Sequence, residues 1–197
     1  MLLPPAPLSP AAGAALLARW REPHRRHHDE RHLAEVLAAV SLLAGREEET
    51  GAVELAAWFH DAVYAGRPDD EERSAALARA ELTAAGADPA LVDEVVRLVL
   101  LTRGHDPASD DRPGAVLSDA DLYVLGADPP RYDDYVAAVR AEYSHVDDAA
   151  WRSGRAAMLR DLLALDPLFR TAEGRNRWEA AARANLTREL RELSPPG

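Results

Sequence analysis

Capping and helix-breaking residues divide this chain into segments of helical length, and inside each segment apolar residues recur every three or four positions. We find no useful stretch in which apolar and polar residues alternate, as they do in a half-buried strand. Alanine, the residue with the highest helix propensity, supplies 40 of the 197 residues. The pattern therefore predicts an all-α fold, a compact bundle of helices that forms a single domain over residues 1–197.

The helix boundaries follow from the capping residues. Ser9 before Pro10 is typical of a helix start, as is Asp88 before Pro89, and Gly45 is typical of the residue that follows a helix. A polar segment rich in Asp, Pro and Gly predicts a loop over 102–114. The predicted helices span 10–20, 28–44, 50–64, 69–85, 89–101, 116–125, 130–143, 147–163 and 173–193.

The composition excludes several kinds of chemistry. All 23 basic residues are arginine, cysteine and lysine are absent, and the net charge is −11. Without cysteine there are no disulfides, thiolate zinc sites, iron–sulfur clusters or cysteine nucleophiles, so any metal must be bound by nitrogen and oxygen. Without lysine there is no Schiff base and no P-loop lysine. The acidic charge argues against duplex nucleic acid as a partner.

We also expect no membrane partner. The chain has no apolar run near the roughly 20 residues that cross a bilayer. Its first residues lack the basic region of a signal peptide. These features predict a cytoplasmic protein.

Histidines are the strongest local signal. His24, His27, His28 and His32 fall within nine residues, and on a helix His28 and His32 would share one face. Such a stretch is either a solvated helix face or a ligand site. His60 is different, because it precedes Asp61 in an otherwise apolar segment, where a buried imidazole and carboxylate need partners.

A pair of aspartates forms the third cluster. Asp119 and Asp121 lie inside the apolar segment 117–125. Asp119 is either a carboxylate at a helix start or part of a site. Asp121 is flanked by Leu122 and Val124, which argues against a surface position.

With these residues in view, the sequence resembles the HD-domain metal-dependent phosphohydrolases, a superfamily named for a histidine, a His-Asp pair and a later aspartate on helices. His32, His60-Asp61 and Asp121 stand in that order. The resemblance extends to a narrower branch of predicted phosphohydrolases and covers roughly residues 16 to 190, with a motif core at about 16–145 and C-terminal helices at 147–193. The matching stretches are Arg25–His28, His32-Leu33, Ala57–Tyr64, Asp70-Glu71, Ser74-Ala75, Thr102–His105, Asp119–Gly126, Tyr132, Tyr135 and Arg140–Tyr143.

Two positions depart from this branch, which usually has tyrosine in place of His27 and asparagine in place of Asp70. Many enzymes of the superfamily also have a lysine shortly after the His-Asp pair, and this chain has none. Phosphate contact therefore falls to arginine, backbone or metal.

The resemblance implies that two imidazoles and two carboxylates, from His32, His60, Asp61 and Asp121, bind one divalent cation. The ligand set suits Mn, Fe, Co, Ni, Zn or Mg, and a second ion is possible. The resemblance also implies a phosphohydrolase that cleaves a small phosphomonoester or nucleotide by means of a metal-activated water. His60 and Asp61 are then the catalytic residues, and Asp61 accepts the proton of the water. Secondary candidates for ligands or phosphate contacts are Arg25, His28, Glu71, His105 and Asp119, and Arg31, Arg67 and Arg103 are further arginines near the ligands.

Two alternative functions stay open. The first is a non-catalytic nucleotide- or metal-binding regulatory module. The second is a di-iron oxygenase, because some HD relatives hold two irons and oxidise their substrate with O₂. The sequence is compatible with a monomer or a homo-oligomer.

Overall fold

A computed structural model describes residues 2–44 and 50–193 of the chain and contains no strand within them. The predicted all-α fold is therefore confirmed. The helices are α1 Pro10–Trp20, α2 Glu30–Leu43, α3 Thr50–Phe59, α4 Asp70–Ala84, α5 Pro89–Leu101, α6 Arg112–Asp121, α7 Pro129–Glu142, α8 Asp148–Ala164, α9 Ala172–Gly174 and α10 Ala180–Leu193. None of these helices has the length and apolar character needed to cross a membrane.

Most helix starts agree with the predicted ones because their capping residues act locally. The side chains of Ser9, Asp88, Asp128 and Asp147 each accept a hydrogen bond from a backbone N–H in the first turn of the helix that follows. A π-helical turn, Arg175–Glu179, joins α9 to α10, so that the chain follows the predicted helix 173–193. The predicted stop at Gly45 lies outside the described residues.

The predicted third helix, 50–64, is too long. In the structure α3 ends at Phe59, and His60 and Asp61 lie in the turn that follows. The buried Asp70 accepts hydrogen bonds from the backbone N–H groups of Ala65, at 2.7 Å, and Arg67, at 2.9 Å. These bonds hold the loop that follows, and inside the predicted helix the backbone N–H of Val63 donates to the hydroxyl of Ser74 at 3.0 Å.

The second and sixth helices also begin away from their predicted starts. Asp29 caps α2, so His28 precedes the helix, and the expectation that it shares a helix face with His32 is wrong. Asp111 caps the N–H of Gly114, so α6 begins earlier than predicted and ends at Asp121, followed by a 3₁₀ turn over Leu122–Gly126. Asp121 consequently lies at the C-terminal end of a helix.

The apolar side chains form two clusters. The first, from α1 to α6, contains fully buried Trp20, Trp58 and Phe59, and the indole N–H of Trp20 donates to the carbonyl of Trp58 at 3.1 Å. The second joins the 3₁₀ turn to α7, α8 and α10. Tyr123 and Trp178 pack against both clusters. Full burial of one large apolar side chain stabilises a fold by about 1.5–3 kcal/mol, so these clusters fix the positions of the helices that present the site.

Candidate metal centre

Four side chains that are distant in the sequence meet at one point. His32 comes from the first turn of α2, His60 and Asp61 follow α3, and Asp121 ends α6. One ligand atom from each of His32, His60 and Asp121 lies within 4.8 Å of the other two. The carboxylate of Asp61 joins them, with Oδ2 at 3.2 Å from Nε2 of His60 and 3.9 Å from Nε2 of His32.

The spacing of these atoms fits a shared ion. Ligand atoms about 2.1 Å from a divalent ion lie about 3.0 Å apart at right angles and about 3.4 Å apart in a tetrahedron. The Nε2 atoms of His32 and His60 are 3.3 Å apart, and Oδ1 of Asp121 lies 3.0 Å from the first and 3.5 Å from the second. The residues present therefore fit a divalent cation.

Hydrogen bonding and packing orient His60. Its Nδ1 lies 2.8 Å from the carbonyl oxygen of Ala57, which can only accept, so Nδ1 carries the proton. In the neutral ring Nε2 then has a free lone pair directed at the cluster. The ring packs on Trp20 with a centroid distance of 5.3 Å, and His60 is 1% exposed.

His32 presents its Nε2 to the same point. Its other ring nitrogen, Nδ1, is buried without a hydrogen-bond partner among residues 2–44 and 50–193. The imidazole is therefore held chiefly by packing, including a contact with Trp20 at a centroid distance of 6.3 Å.

The charges in the cluster perturb one another strongly. Burial opposes ionisation of Asp61 and Asp121, but the neighbouring imidazole of His60 outweighs burial and lowers the pKa of both carboxyl groups. Burial likewise opposes protonation of His60, yet the two carboxylates raise the pKa of its imidazole well above the ordinary value. Two carboxylates thus concentrate negative charge at one point, where protons or a cation must balance it.

Glu142, the last residue of α7, organises residues 24–28, the loop before α2 that we call the histidine loop. Its Oε1 accepts hydrogen bonds from the backbone N–H groups of Arg26, His27 and His28 at 2.7–3.1 Å. Its Oε2 lies 2.7 Å from Nδ1 of His28 and accepts a hydrogen bond from the hydroxyl of Tyr64 at 3.0 Å. Sequence reasoning missed this role. The available signal was an acidic residue at a helix C-terminus, where the dipole disfavours it unless other groups compensate.

A cavity of about 490 Å³ opens beside the cluster. Asp61, Asp121, His28, His105 and Glu71 all line it. Nε2 of His105 lies 3.5 Å from Oδ2 of Asp121, and Nδ1 of His105 is buried without a hydrogen-bond partner in the described part of the chain. Burial lowers the pKa of this imidazole. Burial raises the pKa of Glu71. The structure thus brings three of the secondary candidates to the cavity.

Arg25 lies elsewhere. Its guanidinium is buried and donates to the carbonyl oxygens of His28 at 2.9 Å, Asp61 at 2.8 Å and Ala62 at 3.3 Å. It does not line the cavity. The expected phosphate contact of Arg25 is therefore replaced by a positioning role, because its donors join the histidine loop to the turn that carries Asp61.

Asp119 also departs from expectation. Its carboxylate accepts hydrogen bonds from the backbone N–H of Arg170 and from the N–H and hydroxyl of Thr171, each at 2.7 Å. It is fully buried and does not line the cavity. Asp119 is thus a structural residue that attaches the segment before α9 to α6, and the hypothesis of a ligand or phosphate contact is corrected.

Two arginines do line the cavity, Arg67 and Arg155. The guanidinium of Arg67 is exposed and contacts no acceptor in the part of the chain that the structure describes. Arg31 and Arg103, in contrast, form ion pairs with carboxylates. Arg67 is therefore the arginine available to an anionic ligand.

Arg155 belongs to a buried network that sequence reasoning missed. It pairs with Glu189 through two bonds of 2.7 and 3.1 Å, and it donates to the hydroxyl of Tyr135 at 3.0 Å. Tyr132 donates to the same carboxylate. The charge of this cavity wall is thereby neutralised within the fold.

Comparison with protein-family models, with curated proteins and with solved structures finds no match in any of the three. Membership of the HD-domain superfamily stays a prediction from the motifs. The function is accordingly argued from the geometry of the site.

Proposed function

We propose that this protein is a metal-dependent phosphohydrolase of the HD-domain type that acts on a small phosphomonoester or nucleotide. The observation that carries the proposal is the ligand-like spacing of His32, His60 and Asp121, with the carboxylate of Asp61 3.2 Å from His60, beside a cavity large enough for a small molecule. Cavities of about 300–1,000 Å³ are usual for such ligands.

The ligand atoms suit one divalent cation, with Mn, Fe, Co, Ni, Zn and Mg all compatible with imidazole and carboxylate donors. When bound, the cation supplies positive charge against the phosphoryl group and lowers the pKa of a water molecule. His105 and His28, on the cavity wall, are available to a second ion.

The side chains of the cavity supply the remaining functions. The carboxylate of Asp61 lines the cavity beside the other candidate ligands, and we assign it the role of accepting the proton of the attacking water. Arg67 contacts the phosphate, since phosphoryl transfer depends mainly on positioning and on neutralisation of charge. Glu142 positions His28 at the edge of the cavity.

The test combines metal analysis with activity. We expect the purified protein to bind a divalent metal and to hydrolyse a compound from a panel of phosphomonoesters, nucleotides and cyclic nucleotides with Mn²⁺, Co²⁺, Ni²⁺ or Mg²⁺. H60A and D61A should lose both properties. H145A and D106A are matched controls, because both residues are exposed and lie outside the cavity lining, and they should retain both.

Other outcomes are equally informative. Unchanged metal content or activity in H60A and D61A rejects the proposed site. Metal and tight nucleotide binding without product under any metal favours the regulatory module. Two irons per chain and a requirement for O₂ favour the oxygenase.

A further inference from the structure

A second depression lies next to the metal cavity, between the C-terminal end of α7 and the first half of α8. It has a volume of about 350 Å³. Its walls are apolar or aromatic apart from Arg155, and they include Val146, Trp151 and Met158. The rings of Trp151 and Tyr143 lie 5.6 Å apart and form an aromatic wall. We call this depression the α7–α8 groove.

The α7–α8 groove adjoins the metal cavity. Val139, Tyr143 and Arg155 line both. Because the two depressions share these three side chains, we take the groove as the place for the organic part of a molecule whose phosphate lies among the candidate ligands.

The chemistry of the groove indicates what this organic part is. Arg155 is paired with Glu189 and Tyr135, so it brings little free charge to the wall. The aromatic wall and the aliphatic side chains offer little to the polar edge of a nucleobase, which needs hydrogen-bonding groups for recognition. The volume suits a small ligand, whereas a stable protein partner needs about 800 Å² of surface on each side.

We propose that the α7–α8 groove is the leaving-group subsite of the enzyme, and that the substrate is a phosphomonoester of an apolar alcohol that carries a ring system. The inference rests on the proposed function. Water forms the new bond to phosphorus, the bond between phosphorus and the ester oxygen breaks, and the alcohol takes up a proton as inorganic phosphate forms. The ring of the alcohol packs against Trp151 and Tyr143.

A glycine makes a selective test possible. Gly154 lies in α8 at the groove, and a Cβ atom added there has no atom within 4 Å. G154L therefore fills the groove without a clash at Cβ, and leucine favours the helix over glycine by up to about 1 kcal/mol. G51L is the matched control, since Gly51 is a helical glycine of α3 with the same free space and does not line the groove. A150L narrows the groove from a second position should G154L fold poorly.

The substrates are 1-naphthyl phosphate, methyl phosphate and AMP. We expect wild type to prefer 1-naphthyl phosphate, and G154L to lower kcat/KM for it by about tenfold or more while leaving methyl phosphate unchanged. G51L should leave all three unchanged. An equal effect of G154L on naphthyl and methyl phosphate, or no effect on either, overturns the subsite. A preference for AMP that G154L abolishes also overturns it, because the occupant is then a nucleoside.

A binding measurement separates this proposal from the proposed function. We would titrate 1-naphthylmethylphosphonate, whose carbon–phosphorus bond resists hydrolysis, into Mn²⁺-supplemented protein by calorimetry. Binding by wild type and G51L that is weakened about tenfold in G154L supports the subsite even if no phosphomonoester is hydrolysed. If wild type hydrolyses a phosphomonoester but G154L and G51L bind the phosphonate equally well, the subsite is overturned and the proposed phosphohydrolase activity is still supported.

Discussion

Nδ1 of His28 lies 2.7 Å from Oε2 of Glu142, a contact that joins the loop before α2 to the end of α7 across 114 positions of sequence. Burial opposes ionisation of the carboxyl group, but His28 and the backbone N–H groups of Arg26 and His27 lower the pKa of Glu142 to about 2. Burial also opposes protonation of His28, but Glu142 and nearby carboxylates raise the pKa of the imidazole above its ordinary value of 6.5. The pair is therefore strongest when both groups are charged.

This pair predicts a pH-dependent stability. The contribution of Glu142 is present above its ordinary pKa of 4.5 and is lost as the pH falls towards 2. The contribution of His28 is complete below 6.5 and is lost as the pH rises through the raised pKa. E142Q, in metal-free protein, should lower the free energy of unfolding by about 1–3 kcal/mol, and by more at pH 5.5 than at pH 8.5. Urea unfolding measures both values.

The control for that experiment is E30Q, which removes the charge from a more exposed pair with Arg21. It should change the free energy of unfolding by less than about 1 kcal/mol at either pH. A loss in E142Q that is the same at both pH values would contradict the assignment of the pair.

Asp119 should affect stability and leave metal binding intact. D119N keeps the shape of the side chain but replaces one accepting oxygen by a donor, facing the backbone N–H groups of Arg170 and Thr171. We expect a loss of about 1–3 kcal/mol in the free energy of unfolding with unchanged metal content. D106N is the control, because the side chain of Asp106 is 86% exposed although it also contacts Arg170. Loss of metal from a folded D119N would mean that Asp119 belongs to the site after all.

The buried ion pair of Arg155 and Glu189 predicts that removing one partner costs more stability than removing both. R155M leaves the carboxylate of Glu189 buried without its cation and should destabilise the protein by about 3–5 kcal/mol. The double variant R155M/E189L should recover part of this loss because neither charge is then left unpaired. R188M, which breaks the more exposed pair with Asp133, should change stability by less than about 1 kcal/mol. Thermal and urea unfolding compare the three.

Arg67 should affect the binding of the substrate phosphate. R67A removes the cavity arginine that has no acceptor within the described residues, and we expect KM to rise by about tenfold, the loss of one charge-assisted contact, with kcat and metal content changed little. R103A is the matched control, since Arg103 is an exposed arginine already paired with Glu72. Equal KM values for R67A and wild type would assign phosphate contact to other groups.

The parts that the sequence predicts well are those governed by neighbouring residues. Pro10 and Pro89 follow their capping residues directly, and a cap acts within its own first turn, so the starts of α1 and α5 follow from local pattern. His60 and Asp121 stood out because polar groups interrupt apolar segments, and His32 because it belongs to a dense run of histidines; the structure brings the three together.

The parts that the sequence did not predict depend on contacts between distant segments. Beyond Phe59, the backbone N–H of Val63, which continued periodicity assigned to a helix, donates to the hydroxyl of Ser74 in α4, and Asp70 binds the loop that follows. Asp119 resembles Asp121 in sequence, and its separate role appears only when Thr171, 52 positions later, supplies the donors. Glu142 and Arg155 are similarly defined by partners far along the chain.

The contact between Trp20 and His60 gives the protein its own optical reporter. The indole is fully buried and its centroid lies 5.3 Å from that of the imidazole, so an ion held by His60 lies within collisional and energy-transfer range of the excited ring. Open-shell ions such as Mn²⁺, Co²⁺ and Ni²⁺ quench tryptophan emission at such distances, whereas closed-shell Zn²⁺ and Mg²⁺ do not. Trp20 is one of four tryptophans, so it is the loss of its share of the emission that distinguishes the two classes of ion.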